Sequence, residues 1–79
     1  MPQLPLPRGQ SANLGAGTVL GNLQIIGVGA NYTIAIGGGA AAAHTVVPGG
    51  VDTYPVNGQA VTVVSTDPAG GPVNLQLSW

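Results

Sequence analysis

The last residues of the chain carry its plainest pattern. Val73, Leu75, Leu77 and Trp79 alternate with Asn74, Gln76 and Ser78, the period of two that a strand shows when one face is buried and the other is solvated. Tyr32, Ile34 and Ile36 alternate in the same way with Thr33 and Ala35. Further β-branched runs occupy residues 18–20, 23–28, 44–47 and 51–56. The adjacent Ile25 and Ile26 break the alternation, which predicts a bulge or a strand buried on both faces. Asn57 and Gly58, flanked by such runs, predict a two-residue type I′ hairpin. It would set Val56 against Gln59 and Tyr54 against Val61, with Tyr54, Val56, Val61 and Val63 on one face. Turn signals fall at residues 29–31, 48–50 and 67–72, and Pro55 marks its strand as an edge or a strand end. No segment has the apolar spacing of an amphipathic helix, and no period repeats along the chain. The prediction is an all-β domain, a small antiparallel sandwich or barrel of six to seven short strands.

Residues 1–17 read differently. Pro2, Pro5 and Pro7 fix φ and favour extended backbone, Leu4 and Leu6 alternate with them, and Gly9, Gly15 and Gly17 loosen the rest of the segment. The predicted organisation is an extended arm over residues 1–17 and one β domain over residues 18–79. The arm is either a disordered terminus or a strap that lies on a neighbouring subunit through Leu4, Leu6 and Arg8.

Composition narrows what such a domain can do. Arg8, Asp52 and Asp67 are its only charged side chains, 4% of 79 residues, where about 25% is usual. Nucleic-acid binding needs clustered Lys and Arg, so it is excluded, as is a polybasic membrane patch. A chain this short buries only about 60–65% of its unfolded surface, and it has no cysteine to cross-link it. Packing against other subunits is then the leading source of extra stability. Residues 1–7 have no basic start and no apolar core of a signal peptide. No stretch approaches the roughly 20 apolar residues of a membrane helix. The expectation is a soluble chain that contacts no membrane.

Four motifs carry possible chemistry. Gly37, Gly39 and Ala42 follow a strand with the spacing of a dinucleotide loop, but that chemistry needs a helix whose N-terminal amides hold the pyrophosphate, and Thr45, Val46, Val47 and Pro48 leave no room for one. Residues 37–43 are instead either a small-residue loop or, as favoured, a segment that packs flat against backbone, in the same sheet or in a neighbour at Ala41. His44 is the only histidine; a triad would need Asp52 or Asp67 to orient it beside an activated hydroxyl. A surface hydrogen bond to Asp52 across the turn at residues 48–50 is simpler. One His and two Asp also fall short of a closed metal site. Asn31, Tyr32 and Thr33 match a glycosylation acceptor and also a turn Asn leading into a strand. The aromatics Tyr32, Tyr54 and Trp79 suit either sugar stacking or a core and interface role. Trp79, the last residue, is expected at a rim or in a neighbour's pocket. No catalytic, cofactor or metal residue is assigned.

In its proline-rich residues 1–7, its nearly uncharged Gly, Ala, Val and Thr body and its strand-like residues 73–79, the chain resembles small phage virion proteins, such as head-decoration subunits and short fibre or spike modules. That resemblance implies a virion location and a non-enzymatic role: many copies binding a capsid or tail lattice and bridging its subunits. The expected partners are copies of the chain and a larger protein lattice, met through Leu4, Leu6, Arg8, Ala41 and Trp79. The alternative is a small carbohydrate- or surface-binding β-module.

Overall fold

The computed structural model describes residues 2–79, so Met1, the first residue of the expected arm, lies outside the described residues. Eight strands succeed one another: β1 (Gln3–Leu6), β2 (Ser11–Leu14), β3 (Asn22–Gly27), β4 (Ala30–Ile36), β5 (Ala42–Val46), β6 (Val51–Pro55), β7 (Val61–Ser65) and β8 (Leu75–Ser78). No helix occurs among the described residues. One sheet has the order β1-β8-β3-β6 and the other β2-β7-β4-β5, with every pairing antiparallel. The two sheets pack face to face, and this strand order is the jelly-roll plan. The shortest dimension of the molecule, 16 Å, is what two layers about 10 Å apart require.

The core forms where the inward positions of both sheets meet. Leu6, Leu23, Ile25, Leu75 and Leu77 come from the first sheet, and Ala12, Leu14, Ala30, Tyr32, Ile34, Val46, Val61 and Val63 from the second. Leu75 and Leu77 are buried as their alternation predicts, while Val73 precedes β8 and lies exposed. There is no bulge at Ile25 and Ile26: the register of β3 runs unbroken against both neighbours. Ile25 therefore points inward and Ile26 outward.

Residues 2–17 are not an arm outside the domain. They supply β1, paired with β8, and β2, paired with β7. Leu6, Ala12 and Leu14 are core residues, so the proposed boundary at residue 17 falls inside the domain. Prolines are tolerated here because β1 is an edge. Trp79 N–H donates to Pro2 O, which with the alternation of an antiparallel ladder turns the backbone groups of Leu4 and Leu6 toward β8. Pro5 and Pro7 then sit where no ladder donor is needed.

The dipeptide at residues 57–58 forms the expected turn but not the expected hairpin. Asn57 and Gly58 have φ of 54° and 80°, the left-handed values of a type I′ turn, closed by Gln59 N–H to Val56 O at 3.1 Å. Yet β6 and β7 are unpaired and lie in opposite sheets. The loop at residues 15–21 captures the turn: Val56 and Asn57 N–H both donate to Gly21 O, Gly58 N–H to Val19 O, and Gly17 N–H to Gly58 O. These bonds occupy the backbone groups around the turn, and the chain crosses from one sheet to the other. The expected face of Tyr54, Val56, Val61 and Val63 is consequently split across the two layers.

Residues 37–41 form an exposed loop, and Ala42 and Ala43 enter β5 with their side chains exposed. The flat packing expected for residues 37–43 is found only at the ends of the segment, where Gly37 N–H donates to Ala60 O at 2.7 Å and Ala42 and Ala43 pair with Ile34 and Thr33 of β4; residues 38–41 are an exposed loop.

Candidate functional site

Edge strands β5 and β6 bound one side of the sandwich, and the inner faces of both reach solvent there. Ala42 and His44 of β5 are exposed, and Asp52 and Tyr54 of β6 are half-buried. Between them stands Tyr32 of β4, its side chain fully buried. Period-two geometry puts these residues on inward positions: Tyr32 pairs with His44, Asp52 with buried Ile25, and Tyr54 with buried Leu23.

The Tyr32 hydroxyl donates to Asp52 Oδ2 at 2.5 Å and lies 2.6 Å from the Tyr54 hydroxyl. A phenol has one proton to give, so Tyr54 is the donor in the second bond. The result is a directed chain from Tyr54 through Tyr32 to the Asp52 carboxylate. Among the described residues it is the only side-chain hydrogen bonding between strands of opposite sheets. His44 stacks on Tyr32, with ring centroids 5.9 Å apart and planes at 29°, and meets the edge of Tyr54 at 5.7 Å. The expected bond from His44 to Asp52 is replaced by this stacking, and Tyr32 takes the carboxylate.

Burial, with the bonds to Asp52 and Tyr54, pushes the Tyr32 phenol far above its ordinary value. The phenol keeps its proton, and the hydroxyl chain acts as a clasp joining the two layers. Among the described residues, no group of three or more metal-ligating side chains gathers.

A second polar cluster closes the end of the sandwich near residue 67. Asp67 is 8% exposed. It accepts from Asn74 Nδ2 at 2.8 Å, Asn31 Nδ2 at 2.8 Å and Asn31 N–H at 3.2 Å. The bonds from Asn74 and then Asn31 hold its carboxyl below the ordinary 3.8 against the opposing effect of burial, and Arg8 adds to the lowering. Asp67 is thus a tie between β4 and the segment entering β8, rather than a turn residue bonding its own backbone. Asn31, its amide shared between Asp67 and Thr45 Oγ1, is committed to this tie. A carboxylate with a depressed value stabilises the fold above its unfolded value and loses that contribution as pH falls through the folded one. The melting temperature is expected to hold from pH 7 to about 5 and to fall below about pH 4. Asp67→Asn should be less stable at pH 7 and show a shallower acid decline in a calorimetric series.

The residues expected at an interface do not form one exposed surface. Leu6 is core, Leu4 is half-buried opposite Leu77, and Trp79 is half-buried against the core. Arg8 is half-buried, its Nε donating to Pro72 O at 2.9 Å. Ala41 is exposed in the loop before β5, in the other sheet. A different surface gathers most of the exposed aliphatic side chains; Leu20, 77% exposed, lies instead in the loop at residues 15–21, beside Gln24 and Trp79. One row across the outer face of the first sheet reads Pro5, Gln76, Ile26, Val51. Val28, whose N–H donates to Asn74 O, extends it toward Val73, and Val47 abuts the turn into Val51. Val28, Val47, Val51 and Val73 are 69%, 62%, 52% and 52% exposed, more than single scattered residues require. A shallow hollow between Pro5, Ile26, Val28 and Val73 lies within it. The signal for this surface was the doublet at 25–26, since in a regular strand one of two neighbours must face outward.

No helix of the described residues is long and apolar enough to cross a membrane. Comparison with protein-family models, with curated proteins and with solved structures finds no match for this chain.

Proposed function

We propose that this protein is a non-enzymatic structural component that strengthens a larger assembly by packing against copies of itself and a protein lattice, as a capsid-decoration or tail component of a virion. The observation that carries the reading is the aliphatic surface around Ile26 and Val28, on a chain with 4% charged residues. Contiguous exposed apolar side chains mark surfaces that partners cover, and few charges are present to keep copies apart. The jelly-roll plan is used by capsid and lectin domains alike, so it is compatible with the reading without assigning it.

Sedimentation across a concentration series tests it. The expected result is a mass above the monomer, reduced in an Ile26→Lys, Val28→Lys variant whose melting profile stays cooperative. A wild-type chain that stays monomeric at high concentration and adds to no particle would overturn it. The second reading, a carbohydrate-binding module, draws on the aromatic rings of His44 and Tyr54 beside Asp52 on the open side. It predicts a clean monomer that binds defined glycans on an array and loses them with Tyr54→Ala.

A further inference from the structure

The four sheet edges of this molecule differ in what they offer. The outward backbone positions of β1 include Pro5, and Pro55 ends β6; proline removes the donor an incoming strand needs. β2 has four residues, and its inward side chains Ala12 and Leu14 are already covered. β5 is the exception. It has five residues with no proline and no formal charge, and its inward Ala42 and His44 are uncovered.

The free hydrogen-bonding groups of β5 are set by its neighbour. Asn31 O accepts from Thr66 N–H, and Gly37 N–H donates to Ala60 O, so the odd-numbered residues of β4 turn their backbone groups toward β7. In an antiparallel ladder the even-numbered ones then face β5. Tyr32 exchanges bonds with His44, and Ala30 and Ile34 with Val46 and Ala42. Ala43 and Thr45 are left with N–H and C=O directed away from the sheet.

We infer that β5 pairs antiparallel with β5 of a second copy across a two-fold axis through His44. This deepens the assembly reading and rests on it, naming a second copy as one partner and β5 as the contact. The argument for a second copy is self-complementarity. When Ala42 to Val46 overlaps its own reverse, Ala43 lies opposite Thr45 of the other copy, and Thr45 opposite its Ala43. Every outward N–H then meets an outward C=O, and His44 meets the other His44 at a non-bonded position. Shifting the axis to Thr45 would bring Val47, beyond the end of β5, and then Pro48 into the pairing, so the register centred on His44 alone overlaps the whole strand. The side chains brought opposite one another at the bonded positions are Ala and Thr, small enough for close approach. The second sheets of two copies would become one continuous eight-stranded sheet, leaving the aliphatic face of each first sheet free for further copies and the lattice.

Directly opposed residues at a non-bonded position have Cα atoms about 4.5 Å apart, within the range of roughly 4.4–6.8 Å that a disulfide spans. The chain has no cysteine of its own. Single variants His44→Cys, Ala43→Cys and Thr45→Cys are therefore oxidised gently and resolved by mass. His44→Cys is expected to yield mostly covalent dimer. Ala43→Cys and Thr45→Cys should do so only when mixed with each other. Ala43→Pro removes an outward donor without touching the bonds to β4, and is expected to raise the dimer Kd about tenfold or more. A readout on the unaltered chain guards against a variant that misfolds: exchange of the Ala43 and Thr45 amide protons should slow as concentration rises. Failure of His44→Cys to cross-link beyond an Ala16→Cys control, or concentration-independent exchange at both amides, overturns the pairing. If the chain is oligomeric in that case, the assembly reading survives on its aliphatic face; a monomer at all concentrations that also adds to no particle removes both.

Discussion

Tyr32→Ala is expected to remove much of the folding stability. Truncating a fully buried large aromatic costs about 3–5 kcal/mol, and a domain of this length is stable by roughly 4–12 kcal/mol in all. Beyond the cavity, the substitution releases the hydroxyl chain that joins β4 to β6, the inter-sheet link of the open side. Tyr32→Phe separates the two effects. The ring stays, and Asp52 and Tyr54 turn to solvent because both are half-buried. A cost of about 1–3 kcal/mol is expected, read as a lower urea midpoint at unchanged slope. In a double-mutant cycle, Tyr32→Phe and Asp52→Asn should be non-additive. Full additivity, with Tyr32→Phe melting like the wild type, would show that the clasp contributes nothing beyond the packing of the ring.

Gly27→Ala is expected to destabilise nearly as much as many core truncations, although it adds only a methyl. A Cβ there would stand 2.5 Å from Val46 Cγ1, 2.8 Å from Asn74 O and 3.2 Å from Ala30 Cβ. Val46 is fully buried and cannot swing away, and Asn74 O is backbone that already accepts from Val28 N–H. The layers must separate locally, at a cost of about 1–3 kcal/mol, or a fall of roughly 5–20 °C in melting temperature for a domain of this size. Combining it with Val46→Ala should recover only part of the loss attributable to Gly27→Ala, because the Asn74 carbonyl remains in the way. Complete recovery would assign the whole conflict to the valine.

What the amino-acid pattern revealed depended on how local the deciding force was. Leu75 and Leu77 could be placed because a strand with one wet face shows its period directly. The conformation at Asn57 and Gly58 could be placed too, since positive φ is a property of those two residues. Which strands the turn joins was hidden, because bonds from the distant loop at residues 15–21 decide it. The prolines of residues 2–7 argued for backbone outside a sheet. They are equally at home on an edge whose donors face away, and only pairing with β8 distinguishes the two. The clasp was harder still: Tyr32 and Asp52 sit in different layers, and nothing in their spacing announces that a core phenol will reach an edge carboxylate.

The strand order also governs how the molecule reaches its folded state. Of the six pairings, only β4 with β5 joins neighbours in sequence; β1 with β8, β8 with β3, β3 with β6, β2 with β7 and β7 with β4 all span intervening strands. Each such contact closes a long loop before any bonding or burial rewards it, and chains dominated by contacts of this kind fold in milliseconds to seconds rather than microseconds. During that interval the β4–β5 hairpin is the one piece able to form alone, and a lone hairpin is marginal in water. The nearly uncharged strands stay open to one another between molecules for as long as the remaining pairings take, so refolding yield should decline as chain concentration rises.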